Sequence, residues 1–123
     1  MLKLLVIDDD LPLCDYLKEF FSKKDYEVFT ATDGEKGLSI VRDERPNIIL
    51  LDVVIMPGQF GLDILKEIKK IDNKVKIIML TSVEDKGIIE LAHKYGASDY
   101  ITKPFDLENL ERDVMPKIIR QLV

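Results

Sequence analysis

Tryptophan is absent, and cysteine and histidine each occur once, as Cys14 and His93. A lone thiol forbids an internal disulfide and fits a reducing, cytoplasmic setting. Glycine (6) and proline (5) are sparse and follow no period, which excludes collagen-like and low-complexity chains. Long apolar runs are missing as well. The N-terminal run, Leu4 to Ile7, is too short for the apolar region of a signal peptide and stops at three acids. Nothing approaches the ~20 apolar residues that span a bilayer, so no membrane association is expected. An excess of positive charge is also lacking. With 18 basic and 23 acidic residues the formal net charge is -5, which disfavours direct nucleic-acid binding, because that needs a basic surface.

What is present is the composition of a folded domain. At 46% hydrophobic and 33% charged, the 123 residues can bury enough apolar surface to offset the entropy of ordering. The length predicts one domain over residues 1–123, with no linker and no internal repeat. Short apolar runs at 3–7, 27–31, 47–51, 75–80 and 99–102 alternate with helix-period segments. Runs such as Ile48-Ile49-Leu50-Leu51 and Ile77-Ile78-Met79-Leu80 are apolar on successive residues. That pattern belongs to strands covered on both faces, hence a parallel sheet between helices.

The intervening segments, 11–24, 33–43, 62–71, 85–95 and 106–122, carry apolar residues on one face, as in Leu13, Leu17, Phe20 and Phe21. Asp10 is placed to cap the first helix, whose first turn tolerates Pro12, and Gly96 to end the fourth. Pro116 lies inside the last helix, where it removes a donor and clashes one turn back, so a kink or break is expected near 112–114. Five strand-helix repeats predict an open, doubly wound α/β fold with its active groups at the carboxyl ends of the strands.

Those ends carry Asp8, Asp9 and Asp10 after the first strand, Asp52 after the third, Thr81 and Ser82 after the fourth, and Lys103 and Pro104 after the fifth. Converging carboxylates repel unless a cation neutralises them, and an all-oxygen ligand set selects a hard ion such as Mg²⁺. Carboxylates, an ammonium and a hydroxyl in one crevice suit a transferring phosphoryl group. A carboxylate can itself be the nucleophile and become an aspartyl phosphate.

With these residues the chain resembles the response-regulator receiver domains of two-component signalling. The matching segments are Leu4-Leu5-Val6-Ile7-Asp8-Asp9-Asp10, Ile48-Ile49-Leu50-Leu51-Asp52, Met56-Pro57-Gly58, Ile78-Met79-Leu80-Thr81-Ser82 and the run from Gly96 to Phe105. They stand in the family's order over about residues 2–110. The resemblance implies a flavodoxin-like (βα)5 sheet of order 2-1-3-4-5. It implies that Asp52 is the phosphoacceptor and that Asp8, Asp9, Asp52 and the backbone carbonyl of Val54 hold Mg²⁺, with Asp9 a direct ligand. Thr81 and Lys103 would contact the phosphoryl group, Thr81 and Tyr100 would form the switch, and Lys103-Pro104 would be a cis peptide. The implied partners are a sensor histidine kinase or phosphotransfer protein as donor, and a downstream protein or effector domain as output. The output surface would be that of the fourth helix, fifth strand and fifth helix, and the family allows a phosphorylation-dependent homodimer. Such a domain catalyses only its own phosphorylation and dephosphorylation.

One departure stands out. Met56 and Pro57 lie four and five residues after Asp52, where the family has them at three and four, and Gly61 is likewise one position late. The loop therefore carries one extra residue, and the bulge falls either before or after Val54. Phe60-Gly61 replaces the family's frequent Asp-Gly. The two positions that tune the lifetime of the phosphoryl group in the family fall on Val54 and Val83, neither of which can orient a water through its side chain, so slow dephosphorylation is expected.

Other readings of the same residues are weaker. Asp8-x-Asp10 after an apolar strand resembles the start of a haloacid-dehalogenase-like phosphatase, with Asp8 as nucleophile, but no late acidic pair follows and Asp52 would have no role. A flavin carrier of similar topology needs a phosphate-cradling loop where this chain has three acids. His93 reads as a solvated helix residue, Cys14 as a small packed hydrophobe, and Lys23-Lys24 and Lys69-Lys70 as solvated helix ends.

Overall fold

Strands made of four consecutive apolar residues have no side to show to water, and the structure encloses them on both faces. It is a computed structural model and describes residues 1–55, 58–82, 86–104 and 106–122, without the side chain of Gln59. The strands are β1 (Leu2–Ile7), β2 (Tyr26–Ala31), β3 (Ile48–Asp52), β4 (Lys76–Thr81) and β5 (Asp99–Thr102). They form one parallel sheet of order β2-β1-β3-β4-β5, with the register Leu5↔Ile49, Ile49↔Ile77 and Leu80↔Ile101 across its centre. This is the sheet and the order expected from the sequence.

Alternate residues of each strand feed two cores. Leu4, Val6, Leu50, Ile78 and Leu80 pack with Leu17, Phe21, Leu110 and Ile118, from α1 (Leu11–Ser22) and α5 (Leu107–Asn109, Leu110–Val114 and Met115–Leu122). Leu5, Ile7, Ile49, Leu51, Ile77 and Met79 pack with Val41, Leu65, Ile68 and Ala92. These last come from α2 (Gly34–Glu44), α3 (Gly61–Ile71) and α4 (Lys86–Lys94). Each such side chain contributes on the order of 1.5–3 kcal/mol by leaving water.

The caps follow their chemistry. Asp10 accepts from the Leu13 N–H at 3.1 Å and Asp33 from the Lys36 N–H at 2.8 Å, while Asp106 and Asn109 form a reciprocal capping box at the start of α5. Gly96, at φ 111, takes the left-handed turn after α4. Asp85, which the apolar pattern assigned to that helix, lies outside the described residues.

Pro116 does not break the last helix. Instead Leu110–Val114 widen into a π turn, in which the Met115 N–H donates to the Leu110 carbonyl five residues back. Buried Leu110, Val114 and Ile118 are spaced four apart. A uniform α-helix would drift about 40° at each such step, so the wider turn helps to keep them in line. Of the two lysine pairs, Lys23, Lys24 and Lys70 are exposed as expected and Lys69 departs from the solvated-end reading. Lys69 donates to the Val75 carbonyl at 2.7 Å, and burial lowers its pKa. Lys24 pairs with Glu111 at 2.7 Å.

The extra residue after Asp52 is absorbed in a small antiparallel hairpin that the sequence reading did not foresee, Val54–Ile55 against Gln59–Phe60. The Gly61 N–H donates to the Val53 carbonyl at 2.6 Å, so Val54 and Phe60 form the next, non-hydrogen-bonded pair, where side chains approach most closely. Gly61 must be glycine here, because a Cβ would run into the backbone carbonyl oxygen of Asp52. Gly61→Ala is therefore expected to cost roughly 1–3 kcal/mol, read as a lower urea midpoint with an unchanged slope.

Candidate functional site

The parallel sheet delivers its strand ends to one crevice. Asp8 follows β1, held by its N–H to the Ala31 carbonyl at 3.0 Å. Its side chain is fully buried, with Oδ1 accepting the Asp10 N–H at 3.0 Å and Oδ2 receiving Lys103 Nζ at 2.6 Å. Asp52 closes β3, with Oδ2 3.4 Å from the same ammonium and Oδ1 3.5 Å from the Val54 N–H. Asp9 is exposed, yet one oxygen from each of Asp8, Asp9 and Asp52 lies within 4.8 Å of the others. Thr81, buried at the end of β4, joins Asp52, Val54 and Lys103 in lining an open cleft of about 320 Å³. The Lys103–Pro104 peptide is cis.

Two carboxylates, Asp8 and Asp52, share one ammonium, and the balance shows in the acidity of Asp52. Burial pushes the Asp52 carboxyl up, the negative charge of Asp8 adds to this, and Lys103 offsets only part, leaving it at about 6. Burial works against the Lys103 ammonium, but the hydrogen bond and charge of Asp8, with help from Asp52, hold its pKa above the ordinary value. Lys103 is thus committed first to Asp8, and Asp52 carries the uncompensated charge. An all-oxygen acid cluster with surplus negative charge can take a hard metal cation, and Asp8, Asp9 and Asp52 are the groups that would hold one.

The neighbouring groups are quieter. The Cys14 thiol donates to the Asp8 carbonyl at 3.2 Å, and burial followed by the charge of Asp8 pushes it up to about 12, so it remains a protonated packing group. His93 is exposed, with Nδ1 3.0 Å from the Ala97 carbonyl oxygen. Tyr100 is half-buried on β5 and shares with Thr81, Ile88 and Ala92 a cavity of about 10 Å³ between the sheet and α4. The motif residues Met56, Pro57 and Phe105, and Val83 of the lifetime reading, lie outside the described residues. Sequence reasoning missed the Val54–Phe60 pair, whose one signal was the late position of Gly61, and the placement of Lys117 Nζ 4.9 Å from the centroid of the Tyr100 ring.

Comparison with known proteins agrees with this geometry. Residues 4–115 match the response regulator receiver domain family. The chain is 37% identical over 117 residues to sporulation initiation phosphotransferase F of Bacillus subtilis (strain 168), covering 95% of this chain and 93% of that protein. A CheY-like response regulator receiver domain protein from Methanospirillum hungatei JF-1 superposes with a TM-score of 0.87 at 27% identity, covering 99% of this chain and 97% of that one. A two-component response regulator from Clostridium difficile does so with a TM-score of 0.87 at 26% identity, over 100% of both chains. The chain belongs to the response regulator receiver family and is a phosphorylation-activated signalling domain. Among the described residues no helix is long and apolar enough to cross a membrane.

The raised pKa of Asp52 makes a stability prediction. Its value of about 6 in the fold exceeds the 3.8 of an unperturbed carboxyl, so the folded state binds more protons between those two values. The associated stability is present below pH 3.8 and lost as pH rises through about 6. Without divalent cations, Asp52→Asn should therefore be more stable than the unmodified chain at pH 7.5, by roughly 1–3 kcal/mol. The difference should shrink toward zero near pH 4. Urea unfolding of both proteins across this range checks it.

Proposed function

We propose that Asp52 is the phosphoryl acceptor, and that residues 1–123 act as one receiver unit, charged by a sensor histidine kinase or a phosphotransfer protein. The observation that carries this reading is the division of labour between the two inner acids. Asp8 is fully buried and bound to Lys103 at 2.6 Å, whereas Asp52 opens on the cleft and holds the unneutralised charge. At neutral pH a carboxyl titrating at about 6 is mostly ionised and nucleophilic. In the transfer an Asp52 oxygen forms the new bond to phosphorus while the bond to the donor's imidazole nitrogen breaks, and that nitrogen keeps the electron pair.

Mg²⁺ held by Asp8, Asp9, Asp52 and the Val54 carbonyl would supply positive charge against the phosphoryl oxygens. This chain's own residues do the rest. Lys103, already 3.4 Å from Asp52, pairs with the added charge, and the Thr81 hydroxyl at the cleft wall offers a donor. A turn of Thr81 toward the phosphoryl group changes the cavity it shares with Tyr100. At about 10 Å³ that space is far too small for a phenol ring, so Tyr100 can enter only as Thr81 or α4 yields. Phosphorylation at Asp52 is thereby passed to the surface of α4, β5 and α5, where a downstream protein, an effector domain or a second copy would bind. The domain catalyses only its own modification, in the cytoplasm. A phosphatase with Asp8 as nucleophile would need substrate to reach a side chain with no exposed surface.

Mass measurement after treatment with a small phosphodonor should show one added phosphoryl group, dependent on Mg²⁺ and absent in Asp52→Asn. Unchanged modification of that variant would sink the reading. Amide shifts on adding beryllofluoride with Mg²⁺ should extend beyond the cleft into Lys86–Lys94.

Lifetime gives a separate test. Val54 is 48% exposed beside the acceptor and cannot orient an attacking water. Val54→Asn should speed loss of the phosphoryl group several-fold, measured as decay of the modified mass; equal decay would place the tuning elsewhere in the hairpin.

A further inference from the structure

Tyr100 stands on the edge strand of the sheet, where one row of backbone groups lacks a neighbouring strand. Both of its main-chain polar groups are nevertheless engaged. The Tyr100 N–H donates to Asp99 Oδ1 at 2.8 Å, and the Tyr100 carbonyl accepts from Lys117 Nζ at 2.7 Å. The same ammonium lies 4.9 Å from the centroid of the Tyr100 ring and 3.7 Å from Asp99 Oδ1. One partly buried cation thus grips the backbone, the ring and the flanking carboxylate of a single residue. Lys117 comes from α5, immediately after Pro116 and the π turn of Leu110–Val114. That turn inserts an i→i+5 bond and so changes which face the following residues present.

We propose that Lys117 is a positioning residue of the switch, holding Tyr100 in its present orientation and so setting how readily phosphorylation at Asp52 is relayed to the β5 surface. This rests on the reading of Asp52 and Tyr100 given above and adds the regulation of that pair. The physical content is a bias between two states. The cation–ring contact and the short hydrogen bond exist with Tyr100 where it is, and an inward turn of the ring gives up the first. Removing the contact lowers the cost of switching without touching the acid cluster. Because α5 carries both Lys117 and the outer wall of this face, anything that binds and withdraws the lysine would favour the switched state.

The test is a titration of the full chain with beryllofluoride and Mg²⁺, followed by the ring resonances of Tyr100. Lys117→Met should tighten the apparent affinity roughly threefold to tenfold and, before any addition, move the Tyr100 ring signals toward their beryllofluoride-bound positions. Lys117→Arg keeps a cation and donors and should behave as the unmodified chain. Lys117→Gln keeps a donor without charge and should resemble Lys117→Met. In a Tyr100→Ala background Lys117→Met should change nothing. Unaltered affinity and ring signals in Lys117→Met, or the same tightening in the Tyr100→Ala background, would overturn the proposal. General destabilisation, monitored by urea unfolding, weakens rather than tightens ligand binding and so cannot imitate the expected result. If the unmodified chain bound no beryllofluoride, the Asp52 reading would fail, while the ring signals of the unliganded proteins would still decide the role of Lys117.

Discussion

One ammonium among three carboxylates is the constraint on which the site depends. Lys103 reaches Asp8 at 2.6 Å and Asp52 at 3.4 Å, and its single charge cannot neutralise both. The imbalance stays tolerable because Asp8 is tied to backbone and lysine alike, which leaves the excess on the one inner acid that faces the cleft. A neutral pocket would have nothing to gain from a cation. A pocket with no lysine would be held apart by repulsion. The arrangement sits between these limits, and its capacity for a cation and its surplus of negative charge have one origin.

The sheet makes this constraint possible. Parallel strands all end on the same side, so residues far apart in sequence, such as Asp8 and Lys103, meet without long loops. The strands that carry Asp8 and Asp52, β1 and β3, are buried over most of their length, which gives the acids a rigid floor. Lys103 bonds through its own backbone to the Thr81 carbonyl at 2.7 Å, so hydroxyl and ammonium are mounted on one small frame. The edge strand is short, and Lys117 with Asp99 covers its outward polar groups at Tyr100.

Much of this was legible from residues alone, for identifiable reasons. Doubly buried strands declare themselves by unbroken apolar runs, and strand-end acids by their position just after them. Asp10 was readable as a cap because capping depends on neighbours in sequence. What escaped depended on neighbours in space. Pro116 announced a disturbance, but whether the helix breaks or widens is decided by the packing of Leu110, Val114 and Ile118 against the sheet. Lys69 looked like any surface lysine until the turn at Val75 brought a carbonyl to it. The one-residue excess after Asp52 was countable, yet its conversion into a paired hairpin required Phe60 to face Val54, a matter of register that no single residue type signals.

The contact between Gly61 and the Asp52 carbonyl couples loop length to residue identity. Counting from Asp52, the position that passes this oxygen tolerates no side chain, and here an added residue and a displaced glycine occur together. Exchanging Gly61 with a neighbour at the same loop length would put a side chain into that crossing. Insertions in this loop are thus not free additions of length. Whatever the length of the loop, a glycine has to arrive where the chain passes the Asp52 carbonyl.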